Sequence, residues 1–391
     1  MTMIERYGKM AAQLLDYVEG KTTDQASDVM AVPASHYTDP ARWQQEMDKI
    51  FKRLPLLAGL SIELPNAGDY KTIDILNKPV LITRLADGSV RAMLNICSHR
   101  AMIVAPEGQG NCKRFTCRYH GWTYGNDGRL IGIADAPTFG DVDKAKLGMM
   151  QLPVAERAGL IWIGLTPGMA LDFDGFLGDV ITDLEQFGFK DWHFVGWRDL
   201  QGANWKVAYD GYLEGYHFAA AHPQTIHPRT YSNVMYFDPS GPHLRTGYAQ
   251  VNIAELHKLP REKWGARENM NFDVVRTIFP NVSIFVAPEI TQVAQILPGP
   301  SADRNTTRLY YLRRDPPKDD AEKTELQQMA DFFYNVVDTE DYAVGLQVQK
   351  SLNAGDLSQV LFGKNERGNQ YFHRYIDYYL ADDPNQAPPQ L

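Results

Sequence analysis

The sequence is poor in cysteine and contains no long hydrophobic run. Only 3 of its 391 residues are cysteine, and this small, odd number excludes a disulfide-rich secreted scaffold. No apolar run approaches the roughly 18 residues that suggest a membrane-spanning helix, and the opening residues MTMIERYGK lack the basic and then apolar pattern of a signal peptide. We therefore expect a soluble, cytoplasmic globular protein.

The chain also lacks an excess of positive charge. It carries 39 basic and 48 acidic residues, for a net charge of −9, which argues against non-specific binding of nucleic acid. Its length is about twice that of a typical single domain, so one large domain or two smaller ones are expected. Such a chain can bury a large core without covalent cross-links.

The pattern of helix and strand signals predicts an α+β protein with a small all-β part. Residues 60–166 show short strand-like runs separated by turns, whereas the chain after residue 170 mixes helical and strand-like runs. The later strand-like runs, including one at 277–286, predict an antiparallel sheet, and residues 204–221 and 317–352 predict helices. The last residues, ADDPNQAPPQL, predict a flexible tail.

Two of the three cysteines belong to a paired motif. Cys97 and His99 form a C-x-H module, and Cys117 and His120 form a C-x-x-H module further along the chain. Two thiolates can hold one iron while two imidazoles hold the other, which is the ligand set of a Rieske [2Fe–2S] cluster. A zinc site uses similar ligands, but its histidines normally come as a helical H-x(3–5)-H pair, which is absent from this segment. Cys112 does not fit the ligand pattern and is expected to be structural.

The segments around these modules, NICSHRAM and FTCRYHGWTYGNDGRL, resemble the cluster-binding loops of a known family, the large (alpha) subunits of aromatic-ring-hydroxylating Rieske non-haem iron oxygenases. This family usually has Pro where Ser98 stands and Gly where Ala101 stands, and both positions lie outside the ligand set. Respiratory Rieske proteins carry one more cysteine in each loop, where this chain has Met102 and Tyr119. The resemblance therefore implies an oxygenase or ferredoxin type of Rieske domain.

A second motif contains His217 and His222, in the segment ANWKVAYDGYLEGYHFAAAHP. Two imidazoles and one carboxylate form the facial triad of mononuclear non-haem Fe(II) oxygenases, which leaves one side of the iron open for O2 and substrate. An H-x(4)-H pair near an acidic residue also occurs by chance, and its histidines are then ordinary core or surface residues. The segment resembles the iron-binding helix of the same oxygenase family, and the resemblance implies that both histidines bind iron.

The third iron ligand must come from another part of the chain. In the family it is an Asp on the long C-terminal helix, a few residues before a Gln, and Asp338, Glu340 and Asp341 all precede such a Gln here. The resemblance points to Asp341, with Glu340 as the alternative. Only one of these carboxylates is expected to reach His217 and His222, because the others fall on different faces of a helix.

The resemblance assigns roles to two further acidic residues. Glu214 lies three residues before His217, where its carboxylate can accept the second N–H of the imidazole. In the family this residue bridges the iron of one subunit to the Rieske domain of its neighbour, so Glu214 is expected to link His217 to His120 of the partner subunit. Asp210, one turn earlier, is a candidate for a hydrogen bond near the iron. The remaining histidines are isolated from ligand-type residues and are expected to be structural: His36, His193, His227, His243, His257 and His373.

The resemblance also implies domain boundaries. Residues 1–38 would form an N-terminal helical segment of the catalytic domain, and residues 39–168 the all-β Rieske [2Fe–2S] domain. Residues 169–380 would form a helix-grip catalytic domain with a mononuclear iron, an antiparallel sheet and a long C-terminal helix. Residues 381–391 would be the flexible tail.

The implied activity is that of a terminal oxygenase component. It would use O2 and electrons from NAD(P)H, passed through a separate reductase and in some systems a ferredoxin, to mono- or dioxygenate a hydrophobic, preferably aromatic, small molecule. The chain lacks a G-x-G-x-x-G nucleotide-binding loop, which agrees with a separate electron donor. Family subunits form head-to-tail trimers, so a homotrimer (α3) is expected, with α3β3 as a variant.

Two other functions stay open. Members of the family also demethylate their substrates or oxidise quaternary amines. A protein of another class, a Rieske electron-transfer protein whose second domain only binds a ligand, would share the first motif but hold no metal at the second. The substrate pocket is expected near Phe218, residues 279–285 and the C-terminal helix, whose apolar character favours a hydrophobic substrate.

Overall fold

The computed structural model describes residues 2–266 and 271–391, and the chain divides into two compact units. The larger unit consists of the residues up to Ile50 together with Leu177–Asp183 and His193–Leu391, and the smaller unit consists of Phe51–Phe176 and Leu184–Trp192. The boundaries expected from the sequence lie at 38/39 and 168/169. The compact units instead change at 50/51, and the chain passes between them again at 176/177, 183/184 and 192/193.

The helices and strands have the following bounds. The α-helices are α1 Met3–Gly20, α2 Pro40–Glu46, α3 Ala136–Phe139, α4 Phe173–Glu185, α5 Trp205–Gly211, α6 Phe218–Ala221, α7 Asp320–Val336, α8 Ala343–Ala354 and α9 Arg367–Ala381. Short 3-10 helices lie at Ala34–Tyr37, Ser61–Glu63, Lys144–Lys146, Phe189–Asp191, Ile253–Lys258 and Arg261–Lys263, and π-helical turns lie at Met47–Phe51 and Val337–Tyr342. The strands are β1 Met30–Pro33, β2 Leu56–Leu60, β3 Asp69–Ile75, β4 Lys78–Arg84, β5 Val90–Leu94, β6 Gln109–Asn111, β7 Arg114–Thr116, β8 Thr123–Gly125, β9 Leu130–Gly132, β10 Gln151–Leu152, β11 Val154–Arg157, β12 Leu160–Ile163, β13 His193–Gly202, β14 Thr230–Ser240, β15 His243–Gln250, β16 Phe272–Ile278, β17 Val282–Val286, β18 Thr291–Pro298, β19 Asn305–Arg313 and β20 Gln359–Phe362.

The smaller unit consists mainly of short antiparallel strands, which confirms the predicted all-β part. Its sheets have the strand orders β10-β5-β4-β3-β6, β11-β12-β2 and β7-β8-β9. The first cysteine motif follows β5, and the second motif forms the loop between β7 and β8. Cys97 and Cys117 are both buried in one core cluster with Trp122, so apolar packing holds the two motifs close together.

The centre of the larger unit is a seven-stranded sheet, which confirms the predicted antiparallel sheet. Its strand order is β13-β19-β18-β17-β16-β15-β14. Residues directly opposite each other in antiparallel strands share a face. Tyr248 is opposite Met235, and Thr246 is opposite both Phe237 and Val275. We call this the site face and define it by Met235, Phe237, Tyr248 and Val275, which pack together.

The opposite face of the sheet packs against α1. Met10 and Leu14 are fully buried on one side of this helix and pack with Phe272 and Val274 of β16. Thr2 and Glu5 form a reciprocal capping box at its start, which satisfies backbone N–H groups that the first turn leaves unpaired. The predicted N-terminal helix is therefore part of the larger unit.

Buried charges connect α1, the segment 177–183 and this sheet. Asp183 is fully buried, and its carboxylate accepts hydrogen bonds from Nε of Arg276 at 2.6 Å and from Oη of Tyr7 at 2.6 Å. Nε of Arg245 lies 3.3 Å from the same carboxylate. Because buried charges are costly unless they are paired, this network fixes the position of the segment on the sheet.

Three predicted elements differ from the structure in instructive ways. The helix predicted at 204–221 is interrupted between α5 and α6, where Gly211 and Gly215 disfavour helical backbone. The strand predicted at 277–286 is divided into β16 and β17, because Pro280 has no N–H for the sheet ladder. The helix predicted at 317–352 is present as α7, a π-helical turn and α8.

Within residues 2–266 and 271–391, no helix is both long enough and apolar enough to cross a membrane.

Candidate active site

Three predicted iron ligands come together in the larger unit, although His222 and Asp341 are 119 residues apart in the chain. One ligand atom each of His217, His222 and Asp341 lies within 4.8 Å of the other two. Nε2 of His222 is 2.9 Å from Oδ1 of Asp341, and Nε2 of His217 is 3.5 Å from the same oxygen. Both imidazoles thus direct the same ring nitrogen towards one carboxylate oxygen, so a single ion can contact all three side chains.

The interruption between α5 and α6 positions His217. Because the helix stops after Gly211, the side chain of Glu214 turns onto the start of α6 and accepts hydrogen bonds from the backbone N–H groups of Tyr216 and His217. The same carboxylate contacts Nδ1 of His217, as the sequence predicts. Glu214 therefore fixes both the backbone and the ring orientation of His217.

A π-helical turn brings two neighbouring carboxylates to His222. In the turn Val337–Tyr342, Oε2 of Glu340 lies 2.6 Å from Nδ1 of His222 and accepts a hydrogen bond of 2.6 Å from Oγ1 of Thr225. Asp341 lies on the other side of the ring, at Nε2. Only Asp341 reaches both histidines, as expected, but the additional contact of Glu340 with His222 was not predicted. Their positions differ, since Asp341 faces both imidazoles and Glu340 holds the outer nitrogen of His222.

The charges of this site favour a bound cation. Burial lowers the pKa of His217, but hydrogen bonds to Asp341 and Glu214 outweigh this effect and raise that pKa to about 10. Burial also lowers the pKa of His222, and hydrogen bonds to Asp341 and Glu340 reverse the direction and raise it. The two histidines hold the pKa of Asp341 below its usual value in spite of burial. Two imidazoles among three carboxylates attract positive charge, and a metal ion that binds them displaces protons.

The two cysteine loops of the smaller unit have the same backbone arrangement. In each loop the residue four positions after the cysteine donates its N–H to the cysteine carbonyl: Ala101 to Cys97 and Gly121 to Cys117, both at 2.9 Å. Both donors are in the left-handed region, with φ of 57° for Ala101 and 68° for Gly121. Ala101 therefore adopts the conformation that the family's usual Gly reaches without a Cβ penalty.

The side chains of these loops fit the ligand set of the cluster. Cys97 and Cys117 are each 2% exposed, and the ring centroids of His99 and His120 are 4.6 Å apart. The His99 ring stacks on Trp122 at 4.9 Å. Its Nδ1 is buried and, among the described residues, has no hydrogen-bond partner. Buried polar atoms normally have a partner, so this ring nitrogen indicates a bound group. Coordination to a metal ion would give the nitrogen such a partner.

Asp210 lies in a polar network that does not include the iron-site histidines. Its carboxylate accepts a hydrogen bond of 2.8 Å from Oη of Tyr37 and lies 3.1 Å from Nε2 of His373. Nδ2 of Asn369 donates to its backbone carbonyl at 3.0 Å. Sequence reasoning placed His373 among the isolated histidines and missed this network, because its members come from distant parts of the chain. The predicted hydrogen bond of Asp210 near the iron stays a prediction.

Phe218 forms the apolar edge of the histidine pair. Its ring centroid lies 5.0 Å from that of His217, 5.9 Å from that of His222 and 5.5 Å from that of Tyr248. Phe218 packs against the site face of the sheet. Phe279, which was expected in the same pocket, instead stacks on the Tyr379 ring at 5.4 Å. The apolar surface next to the histidines is therefore provided by Phe218, which the site face supports from behind.

Two family models match successive parts of the chain. The model described as the Rieske [2Fe-2S] domain matches residues 55–145, and the model described as the ring hydroxylating alpha subunit (catalytic domain) matches residues 189–382. Together they define a protein with a Rieske domain followed by an oxygenase catalytic domain. The chain belongs to the Rieske non-haem iron oxygenases, and it corresponds to their alpha subunit. Its cofactors are a Rieske [2Fe–2S] cluster and a mononuclear iron.

Curated relatives have several different substrates. The chain is 30% identical to the large subunit of anthranilate 1,2-dioxygenase from Acinetobacter baylyi, over 54% of this chain and 46% of that protein. It is 28% identical to the oxygenase subunit of glycine betaine monooxygenase from Chromohalobacter salexigens, over 62% of this chain and 55% of that protein. The chain thus spans about half the length of the curated relatives it matches.

Solved structures share the fold over nearly the whole chain. A quaternary ammonium Rieske monooxygenase in complex with L-carnitine superposes with a TM-score of 0.77 and 22% identity, and the match covers 95% of this chain and 98% of that one. Naphthalene 1,2-dioxygenase with bound indole superposes with a TM-score of 0.71 and 20% identity, covering 90% of this chain and 92% of that one. At these identities the similarity shows the fold alone.

Proposed function

We propose that this protein is the terminal oxygenase component of a multicomponent Rieske system. It uses O2 and electrons from NAD(P)H, delivered by a separate reductase with or without a ferredoxin, to hydroxylate a hydrophobic small molecule by mono- or dioxygenation. The observation that carries the proposal is the convergence of His217, His222 and Asp341 on one point. Two imidazoles and one carboxylate on one side of an iron leave its other side open.

The two motifs hold the two cofactors in this proposal. His217, His222 and Asp341 hold the mononuclear iron, and Cys97, His99, Cys117 and His120 hold the [2Fe–2S] cluster. The iron is the place where O2 is activated, and the cluster supplies electrons. Glu214 and Glu340 keep the ring nitrogens of the two iron-site histidines in a fixed direction, because each accepts a hydrogen bond from an outer ring N–H.

Glu214 also connects subunits in this proposal. His217 keeps 24% of its side-chain exposure, and Tyr216 beside it is 58% exposed, so this edge of the iron site is accessible from outside the larger unit. We assign to Glu214 the link between His217 and His120 of the partner subunit. The expected assembly is a homotrimer, with α3β3 as the alternative arrangement.

The walls of the site favour a hydrophobic substrate. Phe218 and the site face give an apolar and partly aromatic surface beside the two histidines. Burial of such surface favours apolar substrates, and aromatic rings can stack on it. An aromatic molecule is therefore the first candidate substrate.

One acidic residue favours a second candidate, a cationic substrate such as a quaternary amine. Asp273 is opposite Tyr248 on the sheet, so its side chain is on the site face. Burial raises the pKa of Asp273 to about 6, although the hydrogen bond from Gln250 lowers it, and nearby Glu289 raises it further. In the described part of the chain no Lys or Arg forms an ion pair with Asp273. A carboxylate next to an aromatic ring is a suitable environment for an ammonium group.

A substrate screen with one matched variant tests the proposal. The cofactor-loaded protein and a surrogate reductase should consume O2 with members of either an aromatic or a quaternary ammonium panel. If the substrate is cationic, Asp273→Asn should lower kcat/KM by about tenfold or more, because a charge-assisted contact is lost. If it is neutral and aromatic, the same variant should leave kcat/KM nearly unchanged. The absence of substrate-dependent O2 uptake with both panels would contradict the oxygenase function.

A further inference from the structure

The end of the predicted flexible tail is not free in the structure. Within residues 382–391 all side chains are exposed except those of Pro389 and Leu391, which are half-buried. Leu391 packs against the site face, as Phe218 does. The tail is thus in contact with the sheet at its end, while most of its length remains exposed.

Phe218 connects this contact to the iron site. Its ring contacts the imidazoles of both His217 and His222, and on the sheet side it contacts Tyr248. A hydrophobic substrate that binds beside the two imidazoles uses the same aromatic surface. Leu391 and Phe218, beside which such a substrate would bind, thus pack against the same apolar cluster.

The composition of the tail suits a segment that docks with a small loss of entropy. It begins at the end of α9, whose inner side is firmly held, since Phe372 and Ile376 are at most 2% exposed. A turn follows, in which the N–H of Asn385 donates to Asp383 at 2.9 Å. Pro384, Pro388 and Pro389 restrict the remaining backbone. A chain that is already restricted loses less conformational freedom on docking.

We propose that residues 382–391 form one side of the substrate site and that Leu391 helps to select the substrate. This inference rests on the proposed oxygenase function, because it assigns a role to the tail at that same site. The tail lines the space next to Phe218 rather than filling the space at the imidazoles. Leu391 is thereby a specificity-determining residue, and it acts through shape and apolar contact alone.

The test compares two charge substitutions on the cofactor-loaded protein. Leu391→Asp places a carboxylate against the apolar cluster, whereas Gln390→Asp places the same charge on an exposed neighbour. Hydrogen exchange of the backbone around Phe218 and Tyr248 reports docking of the tail independently of activity. We expect faster exchange there in Leu391→Asp and exchange like that of the wild type in Gln390→Asp.

A binding measurement tests the role in selection. Indole serves as a neutral probe and choline as a cationic probe. Calorimetry then measures the affinity of each variant for the probe that binds the wild type. Leu391→Asp should weaken this binding by about tenfold, as expected when a hydrophobic wall of a pocket is lost, and Gln390→Asp should leave it nearly unchanged. Tighter binding to Leu391→Asp would overturn the inference, because the tail would then obstruct the site instead of lining it.

The outcomes separate this inference from the proposed function. If Leu391→Asp changes neither hydrogen exchange nor probe binding in a protein that consumes O2 with its substrate, the role of the tail is refuted and the oxygenase function stands. If exchange and binding change as expected but the wild type never consumes O2 with any substrate, the docking of the tail is supported and the oxygenase function fails.

Discussion

At the scale of single residues, the two cysteine loops show how one backbone shape accepts different side chains. Gly121 and Ala101 are in equivalent left-handed positions, although only glycine, which has no Cβ, adopts this region without steric crowding. The loop keeps its shape because the N–H of Ala101 is hydrogen-bonded to the carbonyl of Cys97. The departure from the family pattern at this position therefore changes stability rather than the ligand geometry.

Ala101→Gly should stabilise the smaller unit. Because the left-handed penalty of alanine exceeds the extra backbone entropy of glycine, the free energy of unfolding should rise by about 0.5–1 kcal/mol. Urea unfolding followed by the visible absorbance of the cluster measures this change. Gly121→Ala is the reverse control, since its new Cβ would lie 3.0 Å from Cβ of Ala134 at φ 68°, and it should destabilise the unit. A loss of stability in Ala101→Gly would show that the strain is absent.

Glu340 should behave as a positioning residue rather than a ligand. Because Glu340 holds Nδ1 of His222, Glu340→Ala should weaken iron binding at this site by about 10- to 100-fold. Glu340→Gln can still accept a hydrogen bond, so its loss of iron affinity should be smaller. Titration of the iron-depleted protein with Fe(II) gives the affinities. Asp338→Ala, on the same π-helical turn, serves as the control and should bind iron normally. Wild-type affinity in Glu340→Ala would refute the role.

At the scale of elements, local motifs were predictable and tertiary contacts were not. The ligand-type residues of each cysteine loop are close in sequence, so their spacing alone indicated their chemistry. The sequence also indicated Asp341, through its resemblance to the family. It did not indicate that Glu340 reaches His222, because a regular helix turns neighbouring side chains apart, and only the π-helical turn brings both to one ring. The contact of Leu391 was missed for a related reason, since a short polar tail carries no periodicity.

Asp183 should be essential for holding the segment 177–183 on the sheet. Asp183→Asn removes the buried carboxylate that Arg276 contacts at 2.6 Å, whereas Arg245 keeps its ion pairs with Asp179 and Asp238. The free energy of unfolding of the larger unit should therefore fall by about 3–5 kcal/mol. Urea unfolding followed by tryptophan fluorescence measures the loss. Asp377→Asn is the control. The Asp377 side chain, which pairs with Arg42, is 51% exposed, and such an ion pair contributes at most about 1 kcal/mol to stability.

The contribution of Asp183 should also depend on pH. Burial raises the pKa of this carboxyl, but the charges and hydrogen bonds of Arg276, Tyr7 and Arg245 outweigh burial and lower it below its ordinary value. A folded-state pKa below the unfolded value means that the stabilisation is complete above the unfolded pKa of about 4. It is lost as the pH falls through the folded-state pKa. The stability difference between wild type and Asp183→Asn should therefore shrink in acid, and a difference that grows there would contradict this account.

At the scale of the whole molecule, the chain carries two cofactor motifs on two compact units. The proposed electron path runs between subunits, from the cluster ligand His120 of the partner subunit through Glu214 to His217. Glu214→Ala, at saturating iron, should keep both cofactors bound and yet lose coupled turnover. The rate at which O2 reoxidises the reduced cluster in the presence of substrate measures this effect, with Glu214→Asp as the conservative control. Full coupled activity in Glu214→Ala would refute the bridging role.

The most direct test of the central claim is the iron content of the wild type and of Asp341→Ala. If His217, His222 and Asp341 hold a mononuclear iron, the wild type should bind about three irons per chain, two in the cluster and one outside it. Asp341→Ala should then lose only the last of these, with an unchanged Rieske signal in the electron paramagnetic resonance spectrum and no substrate-dependent O2 uptake. A wild type that binds only the two cluster irons, or an Asp341→Ala variant with the iron content and activity of the wild type, would contradict the assignment of this site.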